Sequence, residues 1–310
     1  MQATSVSDPA VARWIRRTLA ADPPRAKSLI VTVWGDALAP HGGSVWLAGL
    51  IRLMAPFGIN ERLVRTSVFR LSADGWLARA AQGRRSRYRL TPDGARRFDD
   101  AYKRIYERPA DDWRGRWELV LADRVAAPHR PKLRQELAWA GFGELGTTTF
   151  LRPHEEARAL PSILEGKGIA SSVTVAIGED LAGRSIAAAV PGAWDLRSLA
   201  AGYRRFLARF GAVIEHFREG EVHEPAQCFE VRTLLIHAYR RVLLRDPLLP
   251  PALLPLDWPG AAAYALCRDF YRLTHRDAER HLAATLSEPG DPWPPGDDAF
   301  YRRFEGLPRD

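Results

Sequence analysis

Arg62, Arg65, Thr66 and Phe69 recur at spacings that put them on one side of a helix, with Arg70 on its flank. A guanidinium is a planar fork of N–H donors, and it matches guanine O6/N7 bidentately. Arg62 and Arg65 are therefore candidates for base edges, and Thr66 for a base or a phosphate. Arg84, Arg85 and Arg87 follow at a turn and on the strand that leaves it, where they suit phosphate contact. The chemistry implied is recognition of a polyanion, not bond making.

These residues need a helix and a hairpin to present them. Asn60 stands where a helix N-cap belongs, because its side-chain oxygen can accept an orphan backbone N–H. From there Leu63, Val64, Val68 and Leu71 are expected on the buried face, opposite the arginines. Gly75 ends the helix at a position that tolerates a left-handed backbone. Trp76 to Arg79, a tip at Gly83-Arg84-Arg85, and a return strand Ser86 to Leu90 follow. Tyr88 and Leu90 alternate with Arg87 and Arg89, the period of a half-buried strand. Arginine on an outer helix face is commonly plain solvated surface. A cationic hairpin directly after the helix favours a winged helix-turn-helix, with the helix in a major groove and the wing on the backbone or in the minor groove.

Charge is uneven along the 310 residues. Residues 1–110 carry 19 Lys and Arg against 9 Asp and Glu, and the remainder 26 against 28. The excess sits on the segment with the winged-helix pattern, as an electrostatic footprint for nucleic acid does. A composition of 46% hydrophobic and 26% charged residues fits a soluble globular protein. No apolar run is long enough to span a bilayer, and Arg13, Arg16 and Arg17 interrupt any signal-peptide pattern. Two cysteines without a CxxC spacing, Cys228 and Cys267, point to a reducing, cytoplasmic setting and away from a paired-cysteine zinc site.

Upstream, Lys27 to Leu38 reads as the first helix of this domain, with Ile30, Val33, Trp34 and Ala37 on one stripe. Ser44 to Trp46 is a short strand able to pair with the wing, and Leu47, Leu50, Ile51 and Met54 mark the scaffold helix. Leu47-Ala48-Gly49-Leu50-Ile51, then Gly58 through Leu71, then Asp74-Gly75-Trp76-Leu77, resemble the PaaX family of phenylacetic-acid-degradation operon repressors. The likeness covers nearly the whole chain. More distantly, Val64-Arg65-Thr66 through Arg70-Leu71 to Asp74-Gly75 is similar to the winged helix of GntR-type regulators. In that class the positions matching Arg62, Arg65 and Thr66 tend to face DNA. The winged-helix reading leads to the expectation of a homodimer on an inverted-repeat operator of double-stranded DNA. The family resemblance implies release by phenylacetyl-CoA, or by a related acyl-CoA.

Thr91-Pro92-Asp93-Gly94 caps a connector helix with Phe98, Ala101, Tyr102 and Ile105 on its stripe. Beyond it the order is strand (118–122), helix (129–139), strand (147–151), strand (172–177) and a long helix from Asp195 to about Phe217. That order is ferredoxin-like. Trp117 to Arg152 also looks like the small CRISPR-associated nuclease of that fold, in which a strand ends in a metal-binding aspartate; the matching residue is Asp123. A lone carboxylate with no second acid nearby in sequence favours a dimerisation role over catalysis. Helices follow around Val231, Leu234, Leu235, Ala238 and Val242, and from Ala262 to about Leu286, where Leu266, Phe270, Leu273 and Leu282 are apolar. His216 with His223, and His275 with His281, lack metal-ligand spacing. Gly166-Lys167-Gly168 lacks P-loop spacing, and Gly141-Phe142-Gly143 lacks a dinucleotide fingerprint. No catalytic group, cofactor or metal is assigned.

The expected organisation is α+β. It comprises an N-terminal helical arm (1–26), a winged helix-turn-helix domain with connector (27–110), a ferredoxin-like middle domain for dimerisation (111–217), a helical C-terminal domain (218–287) and a Pro-rich tail laid on the surface or loosely ordered (288–310). The expected function is a repressor of aromatic-acid catabolic genes. Two alternatives stay open: a metal-dependent nucleic-acid-processing enzyme built on the ferredoxin-like domain, and a regulator responding to another acyl-CoA.

Overall fold

The computed structural model describes residues 7–83, 85–108, 113–155, 164, 169–179, 185–220 and 223–309. Arg84, Gly166-Lys167-Gly168 and the expected junction at residue 110 lie outside them. In chain order the elements begin with α1 (Pro9–Ala21), α2 (Ala26–Val33), β1 (Ser44–Trp46), α3 (Leu47–Met54), α4 (Glu61–Ala73), β2 (Leu77–Gln82), β3 (Arg85–Leu90) and α5 (Pro92–Tyr106). They continue with β4 (Trp117–Leu121), α6 (Arg130–Trp139), β5 (Gly143–Glu144), β6 (Thr149–Pro153), β7 (Thr174–Gly178) and α7 (Val190–Ala193). The last are α8 (Leu196–Glu219), α9 (Pro225–Leu243), α10 (Gly260–Leu286) and α11 (Asp298–Arg302). Two compact units result: Met1–Arg108 with Arg205–Arg241 and Ala261–Asp310, and Pro109–Arg204 with Val242–Gly260.

In the first unit α2 runs into a π-helical turn, Trp34–Leu38, and Ile30, Val33, Trp34 and Ala37 are all buried as their stripe predicts. β1, β3 and β2 form an antiparallel sheet in that order, with Val45 opposite Tyr88 and Trp46 opposite Arg87. Between α3 and α4 a 3₁₀ turn, Ala55–Phe57, ends at Gly58 (φ 73°). A residue with a Cβ is strained at such a φ, so glycine lets the chain reverse there.

A buried ionic hub ties this unit together. Asp36, in the π-helical turn, accepts from Tyr106 Oη at 2.6 Å and from Tyr271 Oη. Arg232 Nε of α9 lies 3.3 Å from its other oxygen, and Arg232 Nη1 lies 3.1 Å from Glu279 Oε1 of α10. His41 Nε2 lies 2.7 Å from Glu279 Oε2. Arg303 donates to the Asp36 carbonyl (2.8 Å), the Gly35 carbonyl (3.2 Å) and Tyr271 Oη (2.7 Å). Its guanidinium lies 4.1 Å from the ring centre of Tyr106 and 5.1 Å from that of Phe300. Burial works against the charge on Arg232 and Arg303, but the carboxylate of Asp36, joined by that of Glu279 at Arg232, outweighs it and holds both firmly protonated. Burial, first of all, pushes the Tyr106 and Tyr271 hydroxyls up, so they stay neutral donors.

The hub corrects the expectation of a surface tail at 288–310. Phe300, Arg303 and Phe304 are at most 1% exposed, and Phe304 takes a left-handed backbone (φ 50°, ψ 48°). Such strain persists where packing over-determines it, and here Phe304 lies in aromatic contact with Tyr106, Tyr264 and Tyr271. The N-terminal arm is also packed: Val11 and Ile15 are buried, and Asp8 caps α1 and contacts His216 at 2.6 Å.

The second unit carries a four-stranded antiparallel sheet in the order β5-β6-β4-β7. With α6 between β4 and β5, that order is the ferredoxin-like arrangement. β5, two residues long, escaped the sequence pattern because it is too short to show a period. One face buries Val120 and Phe150 with Leu133 and Leu137 of α6. Glu118 and Arg152 pair on that face at 2.6 Å, both nearly inaccessible. The other face buries Trp117 and Leu151 with Val190 and Trp194. The chain is thus a mixed α+β protein.

Candidate nucleic-acid interface

α4 is fixed at both ends by its own sequence. Asn60 Oδ1 accepts the Leu63 N–H at 3.0 Å. At the other end Trp76 N donates to Leu71 O at 2.9 Å and Gly75 N to Ser72 O at 3.1 Å, with Gly75 at φ 75°. This is the left-handed stop that glycine permits. Val64, Ser67, Val68 and Leu71 are buried, and α4 packs on α2 and α3.

Arg62, Arg65, Thr66, Phe69 and Arg70 are all exposed along the opposite side of α4. Phe69 is 71% exposed, a large apolar ring on a polar surface. Leu63 departs from expectation at 45% exposed. It sits about 100° round from Val64, beyond the edge of the buried stripe, and Ser67 takes the inward position instead. Arg65 Nε donates to Glu61 Oε1 at 2.7 Å across one helical turn, and Thr66 Oγ1 donates to the Arg62 carbonyl at 2.8 Å. Arg62 and Arg70 form no ion pair among the described residues.

The wing is more committed than its sequence suggests. Arg87 Nε donates to Ser44 Oγ at 2.7 Å and its Nη1 to Asp291 Oδ2 at 2.9 Å. Arg85 Nη2 lies 3.1 Å from Glu288 Oε2. Both guanidinium groups lie over Trp46, at 4.3 Å for Arg85 and 5.4 Å for Arg87. Sequence reasoning missed Glu288 and Asp291, about 200 residues further on; nothing local marks them. It also passed over Arg79, an exposed cation of β2 whose Nε donates to Ser86 Oγ at 3.0 Å, although its place in the hairpin was a usable signal.

Asp123 is exposed in the turn after β4, and no group of three or more His, Cys, Asp or Glu able to hold a metal occurs among the described residues. His275 faces backbone carbonyls and His281 stacks on Phe229. No described helix is long and apolar enough to cross a membrane. Within the second unit a cleft of about 780 Å³ is lined by Val190, Pro191, Trp194, Leu196 and Leu254, with Arg197 among its polar residues.

Three family models match along the chain: a PaaX-like protein model over residues 25–94, the central Cas2-like domain of PaaX protein over 110–190, and the PaaX-like C-terminal domain over 194–284. The chain is 34% identical over 302 residues to the transcriptional repressor PaaX of Escherichia coli (strain K12), covering 95% of this chain and 94% of that one. It is also similar to the solved structure of the uncharacterized protein Rv0674 from Mycobacterium tuberculosis. That match has a TM-score of 0.55 and 29% identity, and it covers 84% of this chain and 98% of that one. The likeness to the E. coli repressor runs through the helix, turn, helix and hairpin described above and on to the C-terminal helices, and the chain belongs to the PaaX family.

Proposed function

We propose that this chain is a cytoplasmic, DNA-binding transcriptional repressor of phenylacetate catabolic genes, a regulator and not an enzyme. The observation that carries the reading is the exposed row Arg62, Arg65, Thr66, Phe69 and Arg70 on a helix capped and stopped by its own residues. Likeness to a named transcriptional repressor supports it. As a homodimer the protein sets two copies of α4 into successive major grooves of an inverted repeat. Arg62 and Arg65 read base edges, Thr66 and Arg70 touch bases or phosphates, and Phe69 packs against the groove. Arg85 and Arg87, with Arg84 beside them in sequence, meet the backbone.

The effector is phenylacetyl-CoA, or a close acyl-CoA, as the family resemblance implies. The cleft beside Trp194 and Arg197 has the chemistry such a ligand needs, an apolar slot with a cation. Ligand shifts the population towards a dimer whose reading helices no longer match the operator spacing.

The test is binding to duplex from upstream of the chain's own gene, with phenylacetyl-CoA, free CoA or phenylacetate added. Release by the thioester alone is expected; equal binding of free CoA with no change in DNA affinity removes the effector. Arg65→Ala is expected to flatten discrimination at one base pair by about 1–3 kcal/mol. Uniform weakening on all sequences would instead make Arg65 a phosphate contact.

A further inference from the structure

We propose that Glu288 and Asp291, at the far end of the chain, are positioning residues of the DNA-binding wing. The two face each other across a tight turn, with Glu288 N donating to Asp291 O at 3.0 Å and Asp291 N to Glu288 O at 2.9 Å. The turn follows directly on α10, whose last residue, Leu286, is buried. Its two carboxylates serve three arginines of the N-terminal segment. Glu288 takes Arg52 at 3.2 Å and Arg85 at 3.1 Å, and Asp291 takes Arg87 at 2.9 Å. Asp291 Oδ2 also accepts Trp46 Nε1 at 2.8 Å, so it fixes the ring on which Arg85 and Arg87 stack.

The arginines are left with donors to spare. Arg87 uses Nε and Nη1, and Arg85 uses Nη2. The other guanidinium N–H groups have no protein partner among the described residues, and the side chains are 36% and 50% exposed. An arginine free to rotate loses conformational entropy when it grips a phosphate. One already held by a carboxylate and an aromatic face has lost it before DNA arrives. Two carboxylates against three guanidinium groups leave the cluster net positive, so a phosphate is still attracted. The turn therefore orients the wing's cations without abolishing their charge.

The opposite physics is also available to these groups. Carboxylates that merely occupy the arginines would compete with phosphate and weaken binding, and the two cases differ in sign. The inference rests on the wing's assignment to DNA, so wild type is measured beside the variants. Full-length Glu288→Gln/Asp291→Asn keeps the acceptor for Trp46 and removes both charges. Operator affinity is measured by fluorescence anisotropy across a salt series. Positioning predicts a fall of roughly three- to tenfold, the scale of one or two phosphate contacts, with a salt slope equal to or shallower than wild type. Higher affinity, with a slope steeper by about 0.9 for each released arginine, overturns it in favour of competition. Unchanged affinity overturns it as well.

Glu288→Asp supplies a second check, since it keeps the charge and loses the reach. Positioning predicts a fall in operator affinity for it as well, and wild-type affinity refutes the idea. Thermal melting of each variant, matched to wild type, separates these effects from unfolding. Failure of wild type itself to bind duplex would instead sink the DNA-reading assignment.

Discussion

Truncating Arg303 tests whether the buried hub holds the first unit together. The side chain is fully buried, bonded to two carbonyls and a tyrosine hydroxyl, and 3.5 Å from Asp36 Oδ1. Arg303→Ala removes one of the two cations that face Asp36 and leaves an aromatic-lined void where the guanidinium lay. Breaking a buried pair by deleting one partner costs about 3–5 kcal/mol, because the remaining charge stays desolvated. In a unit of roughly 200 residues each kcal/mol moves Tm by about 2–4 °C, so a fall on the order of 10 °C is expected. Arg108→Ala is the control. Arg108 is 77% exposed and 3.6 Å from Glu305, and its loss should cost less than about 1 kcal/mol. Differential scanning calorimetry of full-length protein reads both. If Arg303→Ala melts within about 2 °C of Arg108→Ala, the cage is ornamental and the account of residues 288–310 as part of the core is wrong.

Gly75→Ala should destabilise by about 1–2 kcal/mol in urea titration, a backbone cost alone, since a Cβ there meets nothing within 4 Å; a change of a few tenths would refute the left-handed requirement. Glu230 and His237 of α9 should give pH dependences of opposite sign. Burial, helped by Glu224, pushes the Glu230 carboxyl up to about 7 from 4.5. The native state then keeps a proton the unfolded chain has lost, and stability falls as pH rises through that window. Glu230→Gln should flatten the slope, and an unaltered stability–pH curve would refute the burial argument. Burial, then Arg240 and Arg241, push His237 down to about 4 from 6.5. The unfolded chain takes up the proton first, so stability falls as pH drops from 6.5 to 4. His237→Gln should lessen that acid-side loss; an equal loss in the variant would place its source elsewhere.

Much of the candidate interface was legible in the residues themselves. The Asn60 cap, the Gly75 stop, the exposed row on α4 and the β2–β3 hairpin after it follow from local rules. Each depends on neighbours within a turn, a strand or a hairpin, and periodicity records such relations directly. Leu63 and Leu273 mark the limit of that reading: periodicity gives a face, while the neighbouring elements decide how wide a stripe they cover, and both leucines lie outside it. The composition of residues 288–310 reads as a loose tail, because Pro and Gly carry no period and a lone Arg303 carries no sign of burial. Tertiary structure alone gave Arg303 its aromatic cage and gave Arg85 and Arg87 their carboxylates. Asp36 lies 267 residues from Arg303 and Asp291 lies 204 from Arg87, and no local pattern encodes a contact whose two halves meet only once the chain has folded back on itself.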